Sequence, residues 1–186
     1  MTTAKDIIPL LRKRHSTKNW DAPRWVFFEE LRVGTGHNVN EWRFVMEDGK
    51  WRKQFKDGFN PEQRIDAWAM SAWKSDKYKS IAYEIKVSRT DFLREIAEPE
   101  KRATAMRFSN QFYFVAPDGI IKPSEVPEGC GLLLIRDGKV SISVGAPSRE
   151  IAEPTWAFYA ALVRSLGRKQ EDALFDELVA IEEPVV

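Results

Sequence analysis

The chain is short of the residues that most often build recognisable sites. It has one cysteine, Cys130, which excludes an intramolecular disulfide framework and any cysteine-rich zinc site. Its two histidines, His15 and His37, are far apart and lack a partner spacing, so neither a histidine metal site nor a Ser-His triad is indicated. No stretch approaches the roughly 18 consecutive apolar residues of a membrane-spanning helix. A large net charge is missing too: 29 basic and 28 acidic residues leave +1, so any charge-driven partner is bound by a local patch. The opening MTTAKDIIPLLRKRHS places its basic segment after its short apolar run, unlike a secretory signal. These features predict a reducing, cytoplasmic setting and no membrane partner. Cys130, between two glycines, reads as structural rather than nucleophilic.

What is present suits one domain spanning 1–186. Hydrophobic residues make up 43% of the 186 and aromatics 12%, enough for a sizeable core. There is no internal repeat and no Pro/Gly/Ser linker. The pattern is mixed α/β. A helix is expected over 4–14, interrupted near Pro9, and a second from Pro23 through WVFFEELRV, ended by the turn at Gly34, Thr35 and Gly36. EWRFVM and WRKQF flank Asp48-Gly49 as hairpin strands. RIDAWAM (64–70) and SIAYEIKV (80–87) read as strands. Residues 90–109 have helical spacing, with Ser88 or Thr90 as N-cap and an irregularity at Pro99. QFYFVAP is a buried strand, GLLLIRDGKVSISV a hairpin turning at Asp137-Gly138, and two C-terminal helices, WAFYAALVRSL and EDALFDELVAI, occupy 153–182. The apolar edges of those helices suit either a homodimer or closure of the domain's own core.

Within SIAYEIKV, alternation puts Ile81, Tyr83, Ile85 and Val87 on one side and Ser80, Ala82, Glu84, Lys86 and Ser88 on the other. An antiparallel hairpin centred near Ser75 sets Asp66 across from Glu84 and Arg64 across from Lys86. Opposed like charges on a sheet are destabilising by up to about 1 kcal/mol, more when partly buried. A divalent cation reverses that balance, because two carboxylates, a backbone carbonyl and waters are hard oxygen ligands of the kind Mg²⁺ takes. Such a site suits phosphodiester hydrolysis, with Asp66 and Glu84 fixing the cation and Lys86 positioning water or stabilising developing charge. A third acid, Glu30 or its neighbour Glu29, would orient a metal-bound water. Acid-x-Lys occurs three times, but Asp48-Gly49-Lys50 and Asp137-Gly138-Lys139 are turns; Glu84-Ile85-Lys86 alone lies in an alternating strand.

Glu30, Asp66 in RIDAW and Glu84-Ile85-Lys86 in YEIKVS together resemble the active site of the PD-(D/E)XK, restriction-endonuclease-like nucleases. RIDAWAM, EIKVSRTDFLRE, QFYFVAP and VPEGCGLLLI are similar more narrowly to the MmcB-like, DNA-repair-associated branch and related phage and actinobacterial proteins, over about residues 23–136. Ile65 stands where the family name has proline. The resemblance implies a three-layer fold with a mixed central β-sheet flanked by helices; the first 20 residues and the extra C-terminal helices lie outside it. It implies a Mg²⁺-dependent deoxyribonuclease, with Mn²⁺ able to substitute, and Asp66, Glu84, Lys86 and Glu30 as its catalytic set. Asp66, Glu84 and the backbone carbonyl of Ile85 would be the metal ligands. ELRVGTG resembles the family segment in which the acid precedes an apolar residue and arginine, which favours Glu30. Candidate DNA contacts are Ser88, Arg89, Lys101, Arg102 and Arg107, with Trp68 on the carboxylate face as a base-stacking surface. The basic run Arg12, Lys13, Arg14, His15 and Lys18 is a further candidate, and an ordinary solvated helix end explains it as well. Against the nuclease stands a catalytically silent DNA-binding or scaffolding module of the same fold.

Overall fold

The computed structural model describes residues 3–16, 18–19, 22–33, 42–55, 64–151 and 153–168. Along the chain these form α1 (Ala4–Arg14), β1 (Lys18–Asn19), β2 (Ala22–Pro23), β3 (Trp25–Arg32), β4 (Trp42–Glu47), β5 (Lys50–Phe55), β6 (Arg64–Ser71), β7 (Ser80–Ile85), α2 (Arg89–Ala97), α3 (Ala103–Arg107), β8 (Gln111–Pro117), β9 (Gly131–Arg136) and β10 (Lys139–Val144). A last helix, α4, covers 156–168. The Gly34–Gly36 turn, His37 and the EDALFDELVAI segment lie outside the described residues. Among those described, no helix is long and apolar enough to cross a membrane.

Six strands make one mixed sheet in the order β10-β9-β8-β7-β6-β3. β6 runs antiparallel to both β3 and β7, β7 to β9 are parallel, and β10 returns antiparallel. The central strands β8 and β9 read as unbroken apolar runs because both of their faces are covered. On one side Phe28, Trp68, Ala82, Phe112, Phe114, Leu132 and Leu134 pack beneath Phe92 of α2, Ala105 of α3 and Phe158 and Ala161 of α4. On the other, Ala69, Ile81, Tyr83, Val115 and Leu133 pack beneath Ile7 and Leu11 of α1. The result is helix, sheet, helix. Gly131 marks the tightest point: a Cβ there would overlap the Tyr113 ring and come within 2.7 Å of the Ala146 amide, so no larger residue fits.

The hairpin register predicted between the two site strands is the one observed, with Ala67 paired to Tyr83 and Met70 to Ser80 about the same centre. WVFFEELRV, expected as a helix, is instead the edge strand β3, paired with β6 from Trp25↔Ser71 to Arg32↔Arg64. Its Trp-Val-Phe-Phe start favours a pleated surface, and flanking a sheet strand buries both sides of it, which outweighs the helical spacing of its polar tail. The alternation breaks once. Val26 and Phe28 share a cluster with Leu31 and Val33, which strict alternation would send to the opposite face. The change of parity falls at Glu30, whose φ is +48°. Ile65, paired with Leu31, likewise joins the cluster of Trp68. Pro9 sits inside a continuous α1 rather than interrupting it. Pro99, as expected, breaks the helical run and separates α2 from α3, and the Ser88 hydroxyl caps α2 by accepting from the Asp91 amide.

Candidate active site

Asp66 enters the site from the start of β6 and Glu84 from the end of β7, on the face that carries Trp68 and Ala82 deeper in the sheet. The chain turns at Lys86, whose amide still bonds the Val115 carbonyl at 2.9 Å before α2 begins. The Asp66 carboxylate accepts the Ile85 amide at 2.9 Å, which locks the first acid to the strand bearing the second. The Lys86 ammonium donates to Glu84 at 2.7 Å and to Glu95 at 3.2 Å. Side-chain exposures of 11% for Lys86, 17% for Glu84 and 7% for Glu95 set this network largely out of water.

Burial governs the charges. Glu84 is pushed up to about 7, first by burial and then by the neighbouring Asp66 carboxylate, against the pull of Lys86. Asp66 is also raised by burial; the Ile85 amide, Lys86 and Arg64 oppose the rise and Glu30 adds to it. For Lys86, burial works against the charged form, but Glu84 and Glu95 outweigh it and the ammonium is held above its ordinary value. Two largely buried carboxylates, the second raised by the first, with one cation between the second and a third, form an electrostatically unfinished group.

Glu95 is the functional residue that sequence spacing did not single out. It occupies an apolar position of α2, three residues after the fully buried Phe92, and a buried Glu at core spacing is rare unless paired. That spacing was the available signal. Glu30 reaches the site from a strand rather than a helix. Its neighbours Glu29 and Leu31 pair with Ala67 and Ile65, which sets Glu30 across from Asp66. It is 67% exposed and ion-pairs with Arg64 at 3.3 Å. Glu29 faces the other side and is engaged by Arg12.

The other expected contacts divide. Trp68 is 2% exposed, donates its indole N–H to the Phe108 carbonyl at 3.0 Å and packs edge-on to Phe158. It is therefore a core residue and not a base-stacking surface, because α4 covers that part of the carboxylate face. His15 is likewise buried, its Nε2 2.6 Å from the Tyr83 hydroxyl. Arg89 forks onto Glu125 with two contacts of 2.5 Å, and Lys101 pairs with Glu98 at 2.7 Å. Arg107 lies over the Phe108 ring. Arg102 donates to the Glu95 carbonyl at 3.2 Å and so braces the helix turn that carries Glu95.

No group of three or more His, Cys, Asp or Glu side chains arranged to hold a metal occurs among the described residues. The donor set on offer is the two-carboxylate pair Asp66 and Glu84. No family model matches the chain, and no curated protein matches it. A solved structure, the SPO1766 protein of unknown function from Silicibacter pomeroyi, is similar over 98% of this chain and 92% of its own, with a TM-score of 0.51 and 16% identity. That likeness concerns the fold alone.

Proposed function

We propose that the chain is a Mg²⁺-dependent deoxyribonuclease of the PD-(D/E)XK type, acting in DNA repair, recombination or phage DNA processing. The observation that carries this reading is the convergence of Asp66, Glu84 and Lys86 at one end of two paired strands: Asp66 accepts the amide of Ile85, between the other two, at 2.9 Å, and Lys86 donates to Glu84 at 2.7 Å. The order of connections supports the finer fold assignment: an antiparallel β6–β7 pair is followed by a helix and then a parallel strand, as in restriction-endonuclease-like folds.

The residues fit a hard divalent cation. Mg²⁺ is commonly held by one or two carboxylates and keeps several waters, so a two-carboxylate pair without histidine or cysteine is an appropriate donor set. Burial, and then the Asp66 charge, lift Glu84 to about 7, and a bound cation would offset both. Asp66 and Glu84 would hold it, with the Ile85 carbonyl between the second acid and the lysine. When bound, the cation supplies neutralisation of phosphate oxygens and a more acidic water.

The protein's own groups do the rest. Lys86 remains protonated and presents a fixed positive charge where negative charge develops on the phosphate. Glu95 acts as a positioning residue, sharing the ammonium with Glu84 so that it stays at the mouth of the strand pair. Glu30, exposed at the strand edge across from Asp66, is placed to orient a water from the side.

The test is cleavage of single-stranded, double-stranded and branched DNA, and of RNA, with Mg²⁺ or Mn²⁺, by wild type, Lys86→Ala and Asp66→Asn. Cutting of DNA by wild type alone supports the nuclease, and cutting of RNA alone makes it a different phosphodiesterase. Equal cutting by all three proteins reports a contaminant and removes the support. Tight DNA binding without cleavage favours the catalytically silent module.

A further inference from the structure

A second charged feature lies on the opposite face of the sheet. The last turn of α1 contributes Lys13 and Arg14, the turn between β9 and β10 contributes Gly138, and the start of β10 contributes Lys139; with Leu10 and Val140 they line a cavity of about 300 Å³. Lys13 and Lys139 have no carboxylate partner among the described residues. Arg14, like Lys13 and Lys139, is exposed, so all three cations are open to a ligand from solvent. Gly138 adds no bulk to this lining, and a Cβ there would meet nothing within 4 Å.

The helix dipole accounts for basic residues in the last turn of α1. It does not account for Lys139, which comes from a different element and faces the same space. Among the described residues no carboxylate pairs with these three cations, and an anion seated among them is attracted by all three. The location adds a reason. β7 and β9 are both parallel to β8, so the 137–138 turn and Lys86 lie at the same end of the sheet. The cavity lies at the β10 edge of the sheet, with β9 and β8 between it and the β7 strand that carries Glu84.

We propose that this cavity is a phosphate-binding groove that grips the backbone of a nucleic-acid strand as it passes over the sheet end from the Glu84–Lys86 cluster. It rests on the reading of the chain as a DNA enzyme but contributes to binding rather than cleavage, so the two can fail separately.

The experiment measures anisotropy of a labelled short duplex and of a labelled single strand in EDTA, from about 50 to about 200 mM salt. The proteins are wild type, Lys13→Gln/Lys139→Gln, and Lys74→Gln/Lys77→Gln. The last pair makes the same change of charge at the opposite end of the sheet, in the β6–β7 connection. Each lost phosphate contact lowers the salt slope by about 1, so the groove variant loses about 2 and the control keeps the wild-type slope. Equal slopes in all three proteins, or no binding by wild type, overturn the groove. A groove-dependent slope in a protein that does not cut with Mg²⁺ upholds the groove and removes the nuclease. Cutting with unchanged slopes does the reverse.

Discussion

Two buried groups give the fold opposite responses to acid, and removing either one exposes the other. His15 is held neutral: burial first, and then Arg14, pull it from 6.5 down to about 4. Between those values the unfolded chain binds a proton that the folded chain refuses, so its contribution to stability is complete above 6.5 and is lost as pH falls through about 4. The interval corresponds to about 3 kcal/mol. Glu84 runs the other way. Its carboxyl is raised from 4.5 to about 7, so the folded chain holds the extra proton, and the associated stability is complete below 4.5 and lost as pH rises through about 7. That interval also corresponds to about 3 kcal/mol. Asp66, raised as well, acts in the same direction as Glu84. Asp76 and Glu125, held at about 2 by Arg24 and Arg89, titrate below this window. Urea unfolding followed by tryptophan fluorescence, in metal-free buffer at several pH values from about 4.5 to about 7, reads the balance. Wild type is nearly flat, tilted gently toward greater stability in acid. His15→Phe gains stability steeply on acidification, and Glu84→Gln loses it. The slopes rather than the absolute stabilities carry the result, since both substitutions also change packing. Parallel slopes for the three proteins would refute the argument.

Gly131→Ala forces a methyl into the Tyr113 ring and the Ala146 amide and costs about 1 to 3 kcal/mol, read as a lowered urea midpoint. Trp68→Phe removes the indole bond to the Phe108 carbonyl and opens a gap beside Phe158, for a loss of about 1 to 3 kcal/mol; DNA affinity is unchanged, because the ring is not on the surface. Glu95→Gln leaves Lys86 held by Glu84 alone. It lowers kcat for DNA cleavage by about 10-fold with KM unchanged, against at least about 100-fold for Lys86→Ala, in steady-state assays with Mg²⁺.

The β-strands and their register were legible because their signals are local and strong. Alternation in SIAYEIKV, unbroken apolar runs in QFYFVAP and GLLLI, and Asp-Gly turns each point to a single arrangement. Pairing β6 with β7 then follows from the length between them, and with it the meeting of Asp66 and Glu84. WVFFEELRV was not legible. Its apolar residues satisfy helical spacing, and only the long-range partner β6 decides for a strand, with a left-handed residue at Glu30 that no spacing rule signals. Trp68 does lie on the carboxylate face, yet that face is covered along most of its length by helices, and only its end stays open. Sequence alternation gives the side of a strand but not how far along it the cover extends. Glu95 reaches Lys86 only through the docking of α2, which sequence spacing leaves free.

The central claim is that the oxygens of Asp66 and Glu84 jointly bind one divalent ion beside the Lys86 amine. Calorimetric titration of Mn²⁺ into the metal-free protein tests it most directly, with Asp66→Asn and Glu84→Gln alongside. Saturable uptake by wild type that either substitution abolishes, while the folded state is retained, is the result the account predicts. Absence of uptake by wild type, or uptake that survives both substitutions, contradicts it.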